Sequence, residues 1–215
     1  NEKTDRKNFI QILQKIYFTF RPSILHLSGF ILSPHRIIST KYMKNGSLSQ
    51  YLDFKSNKES THQDLTPTAK SIIIFGIAST FEYLHSQKIV QSPFDPSDVI
   101  LSDEFHPLIQ LCSICQNIKK TNSRFQAPEY ISKGTYSEKS DVFVFGVILY
   151  ELSSSSEFQS VSSLNSGKNT ISKLANSIIL ECCSNDPTSR PSFNAIANKL
   201  QNTNEPLFKD ENKSL

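Results

Sequence analysis

The stretch that decides the fold covers residues 125–152 and reads FQAPEYISKGTYSEKSDVFVFGVILYEL. After Gly134 a polar run leads to Ser140 and Asp141, two residue types that cap the start of helices. The residues that follow are apolar nearly all round instead of along one stripe. A helix with that pattern lies inside a protein, so the stretch predicts a buried helix.

Amphipathic helices are predicted on both sides of this buried helix, because apolar residues recur there every three or four positions. Pro191 suits the first turn of the last of these helices. The chain from Asn202 onward is polar, which predicts a frayed tail. The apolar positions of the helices are Phe9, Ile12, Leu13 and Ile16; Ile74, Ile77, Ala78, Phe81 and Leu84; Ile171, Leu174, Ala175, Ile178 and Cys182; and Phe193, Ile196, Ala197 and Leu200.

Two β-hairpins are predicted from short β-rich runs separated by turn residues. Residues 26–32 and 36–43 form the first pair of runs, with Pro34 and His35 in the turn between them. Residues 99–111, VILSDEFHPLIQL, hold two apolar runs around a polar turn. The order of helices and hairpins therefore predicts an α+β fold dominated by helices.

Polar stretches of low periodicity connect these elements. Residues 55–68 and 153–170 are rich in Ser, Thr and Asn, and they are predicted to be exposed connections. Residues 45–52, NGSLSQYL, predict a turn followed by a short helix.

The composition limits the classes of function. The chain has 215 residues, 37% of them hydrophobic and 20% charged, which is enough for one domain or two small ones. A net charge of +3 does not favour nucleic acid or an anionic membrane as a partner. No apolar run approaches the roughly 20 residues that a bilayer span needs. The sequence thus predicts neither nucleic-acid binding nor membrane insertion.

The four cysteines do not form a recognisable metal site. Cys112 and Cys115 make a C-x-x-C pair, but the adjacent Cys182 and Cys183 lack the spacing of a second ligand pair for zinc. The few cysteines and the lack of a secretion signal predict a reducing, cytoplasmic location.

Four segments, in order, resemble the protein kinase domain, and most closely its tyrosine-kinase-like group. Residues 41–52, KYMKNGSLSQYL, are similar to the hinge and the short helix after it. Residues 76–90, GIASTFEYLHSQKIV, are similar to the helix that leads into the catalytic loop. Residues 125–152 resemble the A-P-E segment with its buried helix, and residues 182–200 resemble the closing D-P-x-x-R-P-S-F segment.

The resemblance runs from about Asp5 to Leu200 and implies a kinase-like α+β fold. It assigns residues 1–43 to a truncated N-terminal lobe of one helix and two strands. Residues 44–205 form a mainly helical C-terminal lobe, and residues 206–215 form a polar tail.

A protein kinase holds nucleotide phosphates with a glycine-rich loop and a lysine, and holds the metal with Asp and Asn. The residues before Phe9 contain neither the glycine-rich loop nor the strand with the phosphate lysine. Ile12 stands at the helix position whose glutamate pairs with that lysine. The resemblance therefore implies that this chain lacks the phosphate-holding part of the family.

The catalytic loop and the metal position also depart from the family pattern. Pro93 stands at the general base, and proline neither accepts nor relays a proton. Asp95 stands at the lysine that faces the transferring phosphate, so a repulsion replaces an attraction. Asp98 replaces the metal-binding asparagine, where a carboxylate is still able to hold magnesium. Leu111 stands at the metal aspartate, and no shift of register supplies an acid there.

The positions that organise the kinase scaffold are retained. By resemblance, Glu129 and Arg190 form a buried ion pair, and Asp141 holds the backbone of the catalytic loop. His85 is a scaffold residue at a helix end. Thr40 stands at the gatekeeper position of the nucleotide pocket, and Lys41 and Met43 stand in its hinge.

The resemblance implies a catalytically inactive pseudokinase that acts by contacting protein partners, without ATP or magnesium. A first alternative is an active Ser/Thr or Tyr kinase whose nucleotide-binding strands lie outside this chain. It would bind ATP and magnesium and use Asp95 as a displaced base. A second alternative is a non-functional gene remnant.

Overall fold

The computed structural model describes residues 21–31, 37–53, 64–91, 93–111, 122–165 and 171–209. Four strands in two small sheets and six α-helices lie in these ranges. The strands are β1 (Leu27–Ile31), β2 (Ile37–Thr40), β3 (Val99–Leu101) and β4 (Pro107–Ile109). The helices are α1 (Leu48–Tyr51), α2 (Pro67–Ser86), α3 (Pro128–Lys133), α4 (Glu138–Ser154), α5 (Lys173–Cys182) and α6 (Phe193–Gln201). Single 3₁₀ turns lie at Pro96–Asp98, Ser123–Phe125, Val161–Asn165 and Pro187–Ser189.

Both predicted hairpins are confirmed as antiparallel pairs. In the first, β1 pairs with β2, with Leu27 opposite Thr40. In the second, β3 pairs with β4, with Val99 opposite Ile109. The segment before β1 is fixed to the second hairpin, because the Ile109 N–H donates to the Ser23 carbonyl at 2.8 Å.

The central helix α4 is buried as predicted, but it begins earlier than its sequence suggests. Ser137 is the N-cap, and its backbone N–H donates to Ser140 Oγ at 3.2 Å. Ser140 and Asp141 are therefore inside the helix, and their prediction as caps was wrong. Ser137 takes the role because its extended backbone lets its side chain reach the free N–H groups of the first turn. Every residue from Ser140 to Leu152 is buried.

Helix α5 packs tightly on α4 at Gly146. A Cβ atom at that position would lie 2.7 Å from Cys182 Cβ and 2.7 Å from Cys183 Sγ. Glycine is therefore required for the two helices to approach this closely. On the other side of the core, α2 and α6 meet through Phe81 and Phe193, whose stacked rings are 5.0 Å apart.

Three other boundaries differ from the sequence prediction. Helix α2 begins at Pro67, inside the predicted 55–68 connection, because Thr66 accepts the Ala69 N–H as its N-cap. Helix α6 is capped by Ser192, so Pro191 precedes it. The predicted exposed connection at 153–170 buries Phe158 and Leu164, because both side chains fill the apolar core beside α4.

Part of the predicted polar tail packs onto the core. Helix α6 ends at Gln201, but Leu207 and Phe208 are buried, and the Leu207 carbonyl accepts a hydrogen bond from Ser172 Oγ at 2.7 Å. The apolar pair therefore fixes a segment that was predicted to fray. The predicted helix around Phe9 to Ile16 and the Cys112–Cys115 pair lie outside the described residues.

Candidate functional site

The catalytic-loop region (residues 91–98) is anchored to the central helix by Asp141. Its Oδ2 atom accepts the backbone N–H of Gln91 at 3.0 Å and lies 3.0 Å from His85 Nε2. Asp141 is fully buried one turn inside α4, and His85 is at the end of α2. One carboxylate thus joins two helices to the start of the loop.

Asp95 contacts its own loop. Its Oδ1 atom accepts the Ser97 N–H at 2.8 Å and the Ser97 hydroxyl at 2.5 Å. It is the N-cap of the 3₁₀ turn Pro96–Asp98, with Pro96 at the first position of the turn. The residue is buried, with 8% of its surface accessible.

Asp98 completes a reciprocal capping box with Asp95. Its Oδ2 atom accepts the Asp95 backbone N–H at 3.0 Å, and only 4% of the residue is accessible. The resemblance makes Asp98 a candidate magnesium ligand, but its Oδ2 atom already accepts a backbone N–H. Among the described residues, no group of three or more His, Cys, Asp or Glu side chains is arranged to hold a metal ion.

The other two positions that the resemblance assigns to reactive residues carry apolar side chains. Pro93 is partly buried and offers no hydrogen-bonding side chain. Leu111 is 1% accessible and belongs to the apolar core. Phe94, between Pro93 and Asp95, packs against Phe81 with ring centroids 4.7 Å apart. The loop is thus attached to the core by an aromatic side chain as well as by hydrogen bonds.

The hinge-like residues form a turn that is fixed to the second hairpin. Thr40 is partly buried at the end of β2, Lys41 is exposed, and the Met43 carbonyl accepts the Gly46 N–H at 3.1 Å. Gly46 has a φ of +64°, a conformation that favours glycine. Asn45 Nδ2 donates to the Ser102 carbonyl at 2.7 Å, which connects the turn to the end of β3.

Glu129 and Arg190 form a bidentate ion pair with two 2.8 Å hydrogen bonds. Arg190 also donates to the carbonyls of Lys139 and Ser184, at 2.8 and 2.9 Å, and its side chain is fully buried. Ser140 Oγ donates to Glu129 Oε1 at 3.0 Å. Partial burial opposes ionisation of Glu129, but the hydrogen bonds and positive charge of Arg190 outweigh it and lower its pKa.

A second charged cluster, which the sequence did not predict, is centred on Glu151 near the end of α4. Arg124 Nε lies 2.8 Å from Glu151 Oε1, and Arg124 Nη1 donates to Glu157 Oε1 at 2.8 Å. The Phe158 N–H also donates to Glu151 Oε1, at 3.0 Å. The one sequence signal for this site is an acid inside an otherwise apolar helix, since a buried acid needs partners.

The structure combines a buried central helix, surrounding amphipathic helices, a loop anchored by Asp141 and an ion pair between Glu129 and Arg190. These are scaffold features of a protein kinase domain. The chain belongs to the protein tyrosine and serine/threonine kinase family, whose sequence model matches residues 1–200. The family and the α+β fold predicted from the sequence are confirmed.

Individual relatives are also kinases by name. The chain is 25% identical over 202 positions to a probable serine/threonine-protein kinase of Dictyostelium discoideum, covering 85% of this chain and 15% of that protein. It is 27% identical over 221 positions to the serine/threonine/tyrosine-protein kinase HT1 of Arabidopsis thaliana, covering 93% and 55%. It is 31% identical over 160 positions to a probable LRR receptor-like serine/threonine-protein kinase of Arabidopsis thaliana, covering 67% and 25%. The chain thus spans 15% to 55% of the length of these relatives.

No α-helix within the described ranges is long and apolar enough to cross a membrane.

Proposed function

We propose that this kinase-family chain is a pseudokinase of the tyrosine-kinase-like group, which acts through protein contacts and not by phosphoryl transfer. The observation that carries the proposal is the reciprocal capping of the catalytic loop. The Asp95 and Asp98 carboxylates, the two acids nearest to the missing base, bind Ser97 and the Asp95 backbone. The assignment to the group rests on the four sequence segments that resemble it.

The residues at the nucleotide and metal positions fit ATP and magnesium poorly. Magnesium binds oxygen ligands in a strict octahedral geometry. At the position of the metal aspartate, Leu111 offers a buried hydrocarbon side chain instead. At the position of the asparagine, Asp98 uses one carboxylate oxygen to accept a backbone N–H. We therefore propose that neither ATP nor magnesium is a cofactor of this chain.

A second candidate function is that of an active kinase, and the names of the relatives favour it. All three are described as protein kinases, and each is longer than the segment that this chain matches. In this candidate, nucleotide-binding strands lie outside the 215 residues and Asp95 accepts the proton of the substrate hydroxyl. Asp95 would first have to exchange its hydrogen bonds with Ser97.

A thermal shift of the purified chain with ATP, with and without magnesium, tests the two candidates. We expect no change in Tm under either condition, because no described group clamps the phosphates together with a divalent ion. A transfer assay with γ-labelled ATP and a generic protein substrate accompanies it, and we expect no label above the level without enzyme. A magnesium-dependent rise in Tm together with transfer of label would contradict the pseudokinase proposal.

The Asp95→Asn variant distinguishes chemistry from folding in these assays. Asparagine caps a helix about as well as aspartate, so the variant keeps the loop but lacks a carboxylate. Label transfer that disappears in Asp95→Asn while the Tm stays unchanged would identify Asp95 as a base.

We propose proteins as the partners of this chain, because its net charge of +3 offers little attraction for nucleic acid or anionic membranes. We also propose a reducing, cytoplasmic location, which is supported by the buried free thiols of Cys182 and Cys183.

A further inference from the structure

Glu151, Arg124 and Glu157 form a charged cluster, here called the Glu151 cluster. A buried helix such as α4 does not need these charges in order to pack in the core. Glu151 is fully buried, whereas the side chains of Arg124 and Glu157 are 16% and 23% accessible. Two carboxylates, those of Glu151 and Glu157, share one guanidinium. Among the described residues, Glu151 Oε2 is buried without a hydrogen-bond partner.

The contacts of Glu151 hold two other segments on α4. Arg124 belongs to the 3₁₀ turn Ser123–Phe125, and the neighbouring Phe125 is buried in the core. On the far side of Glu151, the Phe158 N–H donates to the same Oε1 atom that Arg124 contacts. Both segments therefore share one polar contact with α4, a single carboxylate oxygen, beside the apolar packing of Phe158 against Phe143 and Tyr150.

The charge of Glu151 decides how strong these attachments are. Burial raises the pKa of Glu151, while the Phe158 N–H and Arg124 oppose this rise and the negative charge of Glu157 adds to it. Arg124 from the 3₁₀ turn and Glu157 from the segment after α4 are the charged groups that act on Glu151. When Glu151 is ionised, it attracts Arg124 and accepts strongly from Phe158. When it is protonated, the attraction to Arg124 is lost and the acceptor weakens.

We propose that Glu151 is a proton-controlled latch, which holds the Ser123–Phe125 turn and the Phe158 segment on α4 when ionised and releases them when protonated. The proton comes from solution and binds Oε2, the oxygen without a partner. Helix α4 stays in place, because a neutral carboxylic acid is less costly to bury than a carboxylate. Arg124 then keeps Glu157, a more exposed partner, and its contact with the Phe125 ring, whose centroid is 4.7 Å from the guanidinium carbon. This device is independent of whether the chain transfers phosphate.

The latch has an unusual pH signature, because local and global stability change in opposite directions. The folded chain holds the Glu151 proton more tightly than the unfolded chain, since the pKa is raised from 4.5. Global stability attributable to Glu151 therefore rises as the pH falls through the raised pKa toward 4.5. Over the same window the two attached segments become looser. A purely structural ion pair would lose local and global stability together.

Hydrogen exchange of the full chain measures the local stability of the two segments. It is recorded at about pH 8 and about pH 5 and corrected for intrinsic exchange rates. The reporters are the N–H groups of Phe125, Gln126 and Phe158, which donate to the Asn122 carbonyl, the Ser123 carbonyl and Glu151 Oε1. We expect their protection to fall several-fold at the lower pH, while amides in the middle of α4 keep theirs. In Glu151→Gln, which is uncharged at every pH, we expect low protection of the three reporters at both pH values.

Glu181→Gln is the matched control, because Glu181 pairs with Lys199 at 2.6 Å on the surface. We expect it to keep the wild-type pH response. Should Glu151→Gln fail to fold, Arg124→Gln removes the attachment of the Ser123–Phe125 turn from the exposed side, and we expect reduced protection of Phe125 and Gln126 that no longer depends on pH, while Phe158 keeps its response because its N–H donates to Glu151 directly. Equal protection at the two pH values in the wild type would overturn the proposal. A pH response of the three reporters that persists in Glu151→Gln, or of Phe125 and Gln126 in Arg124→Gln, would overturn it as well.

Discussion

The catalytic-loop region (residues 91–98) and the Glu129–Arg190 pair use charge in different ways. In the loop, Asp95 and Asp98 bind groups within three residues of themselves, so their carboxylates shape one turn. Glu129 and Arg190 are 61 residues apart and join the segment before α4 to the segment before α6. The comparison teaches that one ion pair joins distant segments of the fold, whereas the hydrogen bonds of Asp95 and Asp98 to Ser97 and to the Asp95 N–H fix the conformation of a single turn.

The largest effect is expected from breaking the long-range pair with Arg190→Met. The change leaves Glu129 without its partner and removes donors from the carbonyls of Lys139 and Ser184. Breaking a buried pair from one side typically costs about 3–5 kcal/mol, so we expect a loss of that order in the free energy of unfolding. Urea denaturation measures it. Lys199→Met, which removes a surface partner of Glu181, serves as control and should cost less than about 1 kcal/mol.

Gly146→Ala tests how much the close packing of α4 and α5 contributes to stability, for comparison with the charged pair. The new methyl group would lie 2.7 Å from Cys182 Cβ and Cys183 Sγ, so α5 must move. Overpacking of this kind costs about 1–3 kcal/mol, and we expect a matching drop in Tm. Gly29→Ala is the control, because a Cβ there meets nothing within 4 Å. Equal effects of the two variants would show that the contact between α4 and α5 is not tight.

Asp95→Ala tests how much the local capping of the Pro96–Asp98 turn contributes to stability. It removes the N-cap of the Pro96–Asp98 turn, and loss of such a cap costs about 1 kcal/mol. We expect a small decrease in the free energy of unfolding, and Asp95→Asn should restore most of it. A loss as large as that of Arg190→Met would mean that the loop carries as much of the fold as the ion pair does.

The smallest effect is the pH dependence of the Glu129–Arg190 pair. Because the pKa of Glu129 is lowered from 4.5, its stabilising contribution is fully present above that value and is lost as the pH falls through the lowered pKa. We therefore expect the difference in unfolding free energy between wild type and Glu129→Gln to stay constant from pH 7 down to about 5. It should shrink at lower pH, as followed by urea denaturation. A difference that begins to shrink well above pH 5 would contradict the lowered pKa.

Apolar patterning was sufficient to predict α2, α4, α5, α6 and the two hairpins, because each of these four helices buries several apolar side chains. Helix α3 has no buried residue and was not predicted. The helix ends were less predictable, since several polar residues near an end compete to be the cap. Ser137, Ser140 and Asp141 illustrate this competition, which the extended backbone of Ser137 decides.

The site was predictable only where the family pattern assigns a role to a position. The proposed replacement of the reactive residues by Pro93 and Leu111 rests on the family pattern in the sequence itself. The capping role of Asp95 was missed, although an Asp followed by Pro and Ser is a local signal for a capped turn. The contact between Arg124 and Glu151 joins residues from different elements, and no local pattern predicts such a pairing.

The reciprocal capping of Asp95 and Asp98 has a consequence for recognition. The turn is held in one conformation by its own side chains, so a protein that docks there meets a preorganised surface. Little conformational entropy is then lost on association, and rigid-body docking without induced fit becomes the natural mode of binding.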